Sequence, residues 1–413
     1  MRILVHGLNY APEQVGIAVY TTGMAEALAR MGHEVRVVSG QPYYPQWRVM
    51  AGHKPWAFSR CTSAGVEVVR VPHYIPRRPT GARRVLHHLS FAVSSFWPLA
   101  WHGLVWRPDV VIAIAPSLIG APVARLTAAL AGARSWLHLQ DFELEAAVAT
   151  GVLRTRRWIS HLASRFEQGV LRSFDTVSTI SPQMCKRLIA KGVAAERVTE
   201  FRNWADADVR PLSYLPKVRA EWEISTPHVA LYSGNIANKQ GIEIVVEAAR
   251  LLRHRRDLTF VVCGEGPKRV EIEALAGGLE NLRFHDLVRK ERLNELLALA
   301  SVHLLPQRAE AADLVLPSKL TNMLASGRPV VATAAAGTGL AHEVEGCGLV
   351  TSPGDAAAFA AAIERLVDDR ALHSEMSAAA RTRAITRWSE QAILAEFETR
   401  LTEGRLDAAE LVR

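Results

Sequence analysis

Short apolar runs alternate along this chain with longer stretches of helical period, the pattern of strands and helices in parallel α/β sheets. Residues 2–6 read as a buried strand, and a polar loop over 7–16 follows. Apolar positions at Ile17, Tyr20, Met24, Leu28 and Met31 then recur at helical spacing until Gly32. Further strands are expected at 35–38, 110–115, 135–139 and 176–180, with helices over 118–131 and 158–174. Periodicity lapses over about 205–226, where Pro211 and Pro216 suggest a linker. The pattern then restarts. Strands are expected at 228–232, 258–262, 282–284, 302–305, 329–332 and 349–351. Helices are expected over 242–252, 291–300, 356–367, 371–385 and 389–401. The reading is two tandem α/β domains.

In such sheets ligands bind beyond the carboxyl ends of strands, so the loops there hold the candidate chemistry. The stretch 301–331 is the most informative. It reads as a strand, then a polar loop with Glu310 and Asp313, then Pro317-Ser318-Lys319 opening a helix that stops at Gly327. Backbone N–H groups at that helix start can hold an anion, and Lys319 adds a mobile positive charge; an ordinary capped surface loop is the alternative. Gly16 reaches a helix start where backbone can approach a phosphate or sugar, or it eases a tight turn. Its loop lacks the GxGxxG spacing of a standard dinucleotide site. In the loop 233–241, Gly234 and Asn235 allow close approach and Lys239 could bind phosphate, although a lone lysine is more often solvated. Gly264 and Gly266 flank Glu265, freeing the backbone to approach a base or ribose, or simply to turn. Asp141, with Glu143 and Glu145 behind it, follows a strand; it could orient a hydroxyl or cap a helix.

Composition narrows the class. The chain has 413 residues, 22% charged and 49% apolar, which excludes a disordered chain and leaves room for two cores. A net charge of +8 favours anionic partners without choosing among them. The charges are dispersed and no nucleic-acid-binding module is present, so nucleic acid is not an expected partner. Four unpaired-looking cysteines fit a reducing compartment and no zinc site. The chain starts Met1-Arg2 and enters a strand with no basic-then-apolar leader, so a cytoplasmic protein is expected.

Two aromatic stretches stand out. Residues 40–47 (GQPYYPQW) place Tyr43 and Tyr44 in a loop suited to sugar or headgroup contact, or to packing onto the domain. Residues 85–106 contain no charged side chain and hold Phe91, Phe96, Trp97, Trp101 and Trp106, with Arg77, Arg78, Arg83 and Arg84 before them and Arg107 after. Tryptophans between arginines suit an interfacial segment on an anionic membrane. A packed crossover helix and a spanning helix remain alternatives.

Several motifs together resemble the glycosyltransferase family 4 enzymes over nearly the whole chain. They are GHEVRVVS at 32–39, RPDVVIAIAP at 107–116, YSGNIANKQGIEIVVEA at 232–248, CGEGP at 263–267, PSKLTNMLASGRPVVAT at 317–333 and GCGLVTSPGD at 346–355. Within that family, HGLNYAPE, QPYYPQW, LHLQDFELEA and AADLVLPSKLTN are similar to enzymes assembling colanic acid and related exopolysaccharides. The resemblance implies the GT-B fold, two Rossmann-like α/β domains with parallel sheets facing across a cleft. The expected domains are 1–208 for the acceptor, with a C-terminal helix of about 388–413 packing back on it, and 209–387 for the nucleotide-sugar donor. It also implies retaining sugar transfer without metal or cofactor, from a GDP- or UDP-sugar, with GDP-fucose a candidate, to a lipid-diphosphate-linked saccharide at the inner face of the cell membrane.

The carry-over by residue is uneven. Asn235 stands where the family often has arginine, and Gln240 replaces a lysine, with Lys239 one position earlier. Asn322 falls on the glutamate that bonds the donor ribose, while Glu310 or Asp313 stands in for its partner. Gln140 replaces a histidine, His138 lying two residues early. The expected roles are catalysis by Asp141, Lys239 and Asp313; donor binding by Gly16, Gly234, Asn235, Lys239, Gly264, Glu265, Glu310, Ser318, Lys319 and Asn322; and acceptor or membrane contact by Tyr43, Tyr44, Arg83, Arg84, Trp97 and Trp101. A nucleotide-sugar epimerase and a membrane scaffold that binds nucleotide sugar are the competing functions.

Overall fold

The computed structural model describes the chain except residues 15, 143–156, 215, 310–316 and 411–413; the side chains of 157–159, 239 and 404–410 are also outside the description. The chain divides into two compact units, Met1–Arg202 with Gln391–Arg413, and Asn203–Glu390. Each is built on a parallel sheet, as the alternating pattern predicts.

The first unit contains β1 (Arg2–Gly7), β2 (Glu34–Gly40), β3 (Ser59–Ser63), β4 (Val66–Val71), β5 (Val110–Ala115), β6 (Arg134–Leu139), β7 (Thr176–Thr179) and β8 (Val198–Glu200). Their order is β3-β4-β2-β1-β5-β6-β7-β8. Ile3, Leu4, Val5, Val110, Val111 and Ile112 are fully buried, the continuous apolar filling of central strands covered on both faces. The order reverses between β1 and β5, so the loops after these strands flank a topological switch point, where crevices form in open α/β sheets. Among the described residues, only β3 runs antiparallel, to β4. That hairpin is absent from the sequence reading. It turns through Ala64 and Gly65, both at positive φ (49° and 80°), a turn that matches strand twist. The helix Glu390–Glu410 returns to this unit: Phe397 stacks on Phe201 at 4.0 Å and meets Trp136 edge-on at 5.1 Å.

The second unit contains β9 (His228–Ser233), β10 (Leu258–Cys263), β11 (Leu282–His285), β12 (Val302–Leu305), β13 (Val330–Thr333) and β14 (Gly348–Thr351), in the order β11-β10-β9-β12-β13-β14. All pairings are parallel. One face is sealed by Val245, Phe260, Val331, Phe359 and Ile363, all fully buried. The segment read as a linker is partly ordered packing: Val218 and Ile224 are buried with Val229, Leu231 and Leu296 on the other face. One apolar position in the five-residue helix Lys217–Glu221 and one just after it carry too little periodicity to be seen in the sequence. Here the order reverses between β9 and β12.

Candidate active site

In the second unit the switch point gathers several of the predicted donor residues. β9 runs into Gly234 and Asn235, β10 into Gly264, Glu265 and Gly266, and the seven-residue helix Lys319–Ala325 brings Lys319 back toward β9. The Lys319 ammonium lies 3.9 Å from the centroid of the Tyr232 ring. A methyl group built on Gly234 would meet Lys319 Cδ at 3.5 Å and Nζ at 3.7 Å. Lysine, glycine and ring therefore form one cluster, with Gly234 at φ +135°, where side chains are strained. Tyr232 is buried and donates its hydroxyl to the Asn235 carbonyl at 2.6 Å; burial pushes its ionisation up.

The glycines of the β10 loop have a structural cause. A Cβ on Gly264 would stand 1.9 Å from the Gly234 carbonyl oxygen, and one on Gly266 2.2 Å from that of Ile236. The loops after β9 and β10 touch backbone to backbone, with Ile236 N–H donating to the Glu265 carbonyl at 2.8 Å and Lys268 N–H to that of Ile236 at 3.1 Å. Glu265 itself is exposed and accepts from Arg269 at 2.6 Å.

Asn322 is half-buried, and its side-chain carbonyl accepts the Asp206 backbone N–H at 2.7 Å. One of the lone pairs expected for a ribose is thus used within the chain. Ser318 is exposed at the helix start and makes no side-chain cap bond. Glu310 and Asp313 lie outside the described residues, as does the Lys239 side chain, whose backbone sits in the turn Asn238–Gln240.

In the first unit, a carboxylate that the sequence reading did not single out ties the loops after β1 and β2 together. Glu13 is 4% exposed and accepts from Asn9 Nδ2 at 2.8 Å, Tyr43 N at 2.7 Å and Tyr44 N at 2.8 Å. Burial raises its pKa and these three bonds oppose that. Its sequence signal is an acid in a Pro-containing loop directly after a central strand. Gly16 has φ 65° and ψ −142°, and a Cβ there would lie 3.7 Å from Tyr44 Cε1. Burial pushes the half-buried Tyr44 hydroxyl up; Arg84 opposes this, while Glu13 and Asp141 add to it. Gly16, Tyr44, Arg84 and Asp141 therefore belong to one neighbourhood.

Tyr43 does not join that surface. It is 4% exposed, its hydroxyl bonds His87 Nε2 at 3.0 Å, and its ring packs on His73 and Trp47. Distant residues 73 and 87 bury it, which local sequence cannot reveal. His138 is likewise internal, between Ser178 Oγ and Gln140 Nε2, each at 2.9 Å, and burial pushes its pKa down to about 3.

The helix Gly81–Trp101 runs through most of the second aromatic stretch, residues 85–106. Phe91 and Leu99 are fully buried, while Val93, Trp97 and Trp101 are 63%, 72% and 63% exposed. Leu86, Leu89, Leu104 and Val105 extend this outer apolar face, and Arg83 and Arg84 are exposed at its start. Trp106 points inward instead, donating Nε1–H to Glu34 at 2.8 Å beneath the Arg36 guanidinium. Among the described residues, no helix is long and apolar enough to cross a membrane.

Family models match both units: "Glycosyl transferase 4-like domain" over residues 15–204 and "Glycosyl transferases group 1" over 227–369. The chain is 44% identical over 359 residues to "Putative colanic acid biosynthesis glycosyl transferase WcaI" of Escherichia coli (strain K12), covering 84% of this chain and 86% of that protein. Among solved structures it is similar to sucrose-phosphate synthase from Thermosynechococcus elongatus, with TM-score 0.76, 18% identity and 99% of each chain covered. It is also similar to Anabaena Alr3699/HepE in complex with UDP-glucose, with TM-score 0.69, 16% identity, and 98% of this chain and 100% of that one covered. With a parallel-sheet α/β fold in both units, matches to both family models and a relative 44% identical over 84% of this sequence, the chain belongs to the group 1 glycosyltransferases of the GT-B fold.

Proposed function

We propose that this glycosyltransferase works in bacterial exopolysaccharide assembly, moving a sugar from a nucleotide sugar to a lipid-diphosphate-linked saccharide with retention of configuration. The observation that carries the donor half is the meeting of Lys319 with Gly234 at the switch point of the second sheet. Gly234 leaves room for a diphosphate to approach the backbone, and the lysine supplies a positive charge beside it. The UDP-glucose bound by the similar Anabaena protein, and the colanic acid role named for the E. coli relative, point the same way. GDP-fucose is the donor to test first.

In this reading Lys319, with Lys239, stabilises the nucleoside diphosphate as the glycosidic bond to its phosphate breaks. The acceptor hydroxyl attacks the anomeric carbon from the same face, its proton passing to the departing phosphate. Asp141 in the first unit orients that hydroxyl, and Asn322, through its amide N–H groups, and Glu310 or Asp313 address the donor. The outer face of the Gly81–Trp101 helix rests on the anionic inner surface of the membrane, where the lipid-linked acceptor resides.

The test is thermal stabilisation by GDP, UDP, ADP and TDP, followed by turnover of the best donor with a lipid-diphosphate saccharide. A ligand that binds only the folded state adds about 2.7 kcal/mol at a hundredfold excess over its Kd. Stabilisation by one nucleotide together with acceptor-dependent product supports the proposal. Stabilisation without transfer points to a scaffold, donor conversion without acceptor points to an epimerase, and either result overturns it.

A further inference from the structure

At the opposite, N-terminal edge of the second sheet lies a cavity of about 320 Å³ that the transfer reaction does not use. It opens where β9 starts at His228, before β12 at Ser301 and before β13 at Arg328. Its lining includes Arg219, Arg328, Arg370, His228 and His373 and, among the described residues, no aspartate or glutamate. The acids that act on His228, Asp257 and Asp368, accept from Arg255 at 2.8 and 2.7 Å, and Asp369, beside Arg370, accepts the Leu372 backbone N–H at 2.9 Å.

Arg328 is the informative group. It is half-buried, and among the described residues no carboxylate lies within ion-pair reach of it. Its guanidinium keeps solvent contact through the cavity it lines, so a positive charge without a carboxylate partner faces that space. Burial lowers its pKa with no compensating charge. Arg219 is anchored on the Thr226 carbonyl and His373 donates to the Ser301 carbonyl at 2.9 Å; both partners are neutral, so the cationic character of Arg219 is not cancelled. Leu299, Leu366 and the exposed Tyr214 complete an apolar wall.

We propose that this cavity is a second anion site, taking the phosphoryl group of a soluble phosphomonoester, with Arg328 as its inner ligand and Arg370 at its rim. The planar fork of arginine suits phosphate oxygens, and the volume leaves room for an organic group beside the phosphate against the Leu299 wall. This site is independent of the donor-binding reading, since Lys319 sits at the other edge of the same sheet.

The experiment is titration calorimetry of the full chain with inorganic phosphate and with glucose 6-phosphate at constant ionic strength. The wild type, Lys319→Ala, Arg328→Gln and Arg370→Gln are compared. Lys319→Ala should keep phosphate binding, which separates this site from the donor end. Arg328→Gln should weaken it roughly tenfold or more, the size of a lost charge-assisted bond, and glucose 6-phosphate should bind the wild type more tightly than phosphate does. Arg370→Gln, at an exposed helix start, provides the same test if Arg328→Gln does not fold. Phosphate affinity unchanged in the folded arginine variants, or lost in Lys319→Ala, overturns the proposal. A sedimentation arm with phosphatidylglycerol vesicles separates the soluble ligand from a lipid headgroup: binding that Arg328→Gln abolishes would reassign the site to lipid.

Discussion

The Lys319 ammonium rests 3.9 Å from the centroid of a Tyr232 ring that is itself held by the bond from its hydroxyl to Asn235. The face of the ring attracts the ammonium and holds it beside Gly234, where the proposed diphosphate would approach the backbone. Replacing Lys319 with alanine should lower kcat/KM by about 1.5 to 3 kcal/mol, a factor of roughly ten to a hundred and fifty. Unchanged steady-state kinetics would remove Lys319 from the site.

Gly264→Ala tests the backbone contact between the loops after β9 and β10. The added carbon would lie 1.9 Å from the Gly234 oxygen, with no flexible side chain to yield. Overpacking of this kind costs about 1 to 3 kcal/mol or more, and here it must also displace Gly234. Urea unfolding should show the loss in stability, and nucleoside diphosphate binding should weaken with it. A stable variant with normal binding would show that the loops separate freely.

The helix Gly81–Trp101 offers a two-sided comparison. Trp97→Ser and Trp101→Ser remove exposed rings, so stability should move by less than about 0.5 kcal/mol while sedimentation with anionic vesicles falls. Phe91→Ala, by contrast, empties a fully buried position and should cost about 3 to 5 kcal/mol. Vesicle binding that survives loss of both tryptophans would assign the outer face another role.

Acid should destabilise the first unit before the second. Burial pushes His6, His73, His88 and His138 of the first unit down to about 3, against His303 alone to that extent in the second. Below pH 6.5 the unfolded chain binds protons that these folded histidines refuse, so stability falls as pH drops from there towards 3. Each group contributes on the order of 1.4 kcal/mol per pH unit. Hydrogen exchange at pH 7.5 and 5.5 should show first-unit peptides losing protection earlier; the reverse order would contradict the argument.

Glu13 should be replaceable by glutamine and not by alanine. Glutamine keeps an oxygen for the Tyr43 and Tyr44 N–H groups, both of which bond the same carboxylate oxygen. Alanine strands them at about 1 to 3 kcal/mol per buried group. A melting-temperature series of the two variants checks this, and equal losses would show that the loops hold without the carboxylate.

The strands of both sheets were readable because buried parallel strands are nearly continuous apolar runs, as at Val110–Ala115 and Val330–Thr333. The β3–β4 hairpin was not, since Ser59–Ser63 is exposed along its whole length and offers no apolar face; the Ala64-Gly65 turn before Val66 was its available signal. At the site, Gly234 and Lys319 could be picked out by loop chemistry at a strand end. The separation of Tyr43 from Tyr44 could not, because adjacent aromatics look alike until His73 and His87 arrive from elsewhere in the chain to bury one of them. Asn322 shows the same limit: its position within the helix was legible, but its bond to Asp206 was not.

The stacking of Phe397 on Phe201, beside Trp136, has a consequence for synthesis. The first unit is interrupted in sequence by the second, so Trp136 and Phe201 leave the ribosome long before the ring that covers them. Until then they are an exposed aromatic patch on a nascent sheet, the kind of surface that chaperones engage and that aggregation exploits. The second unit, contiguous in the chain, can fold while the first still waits for its last helix.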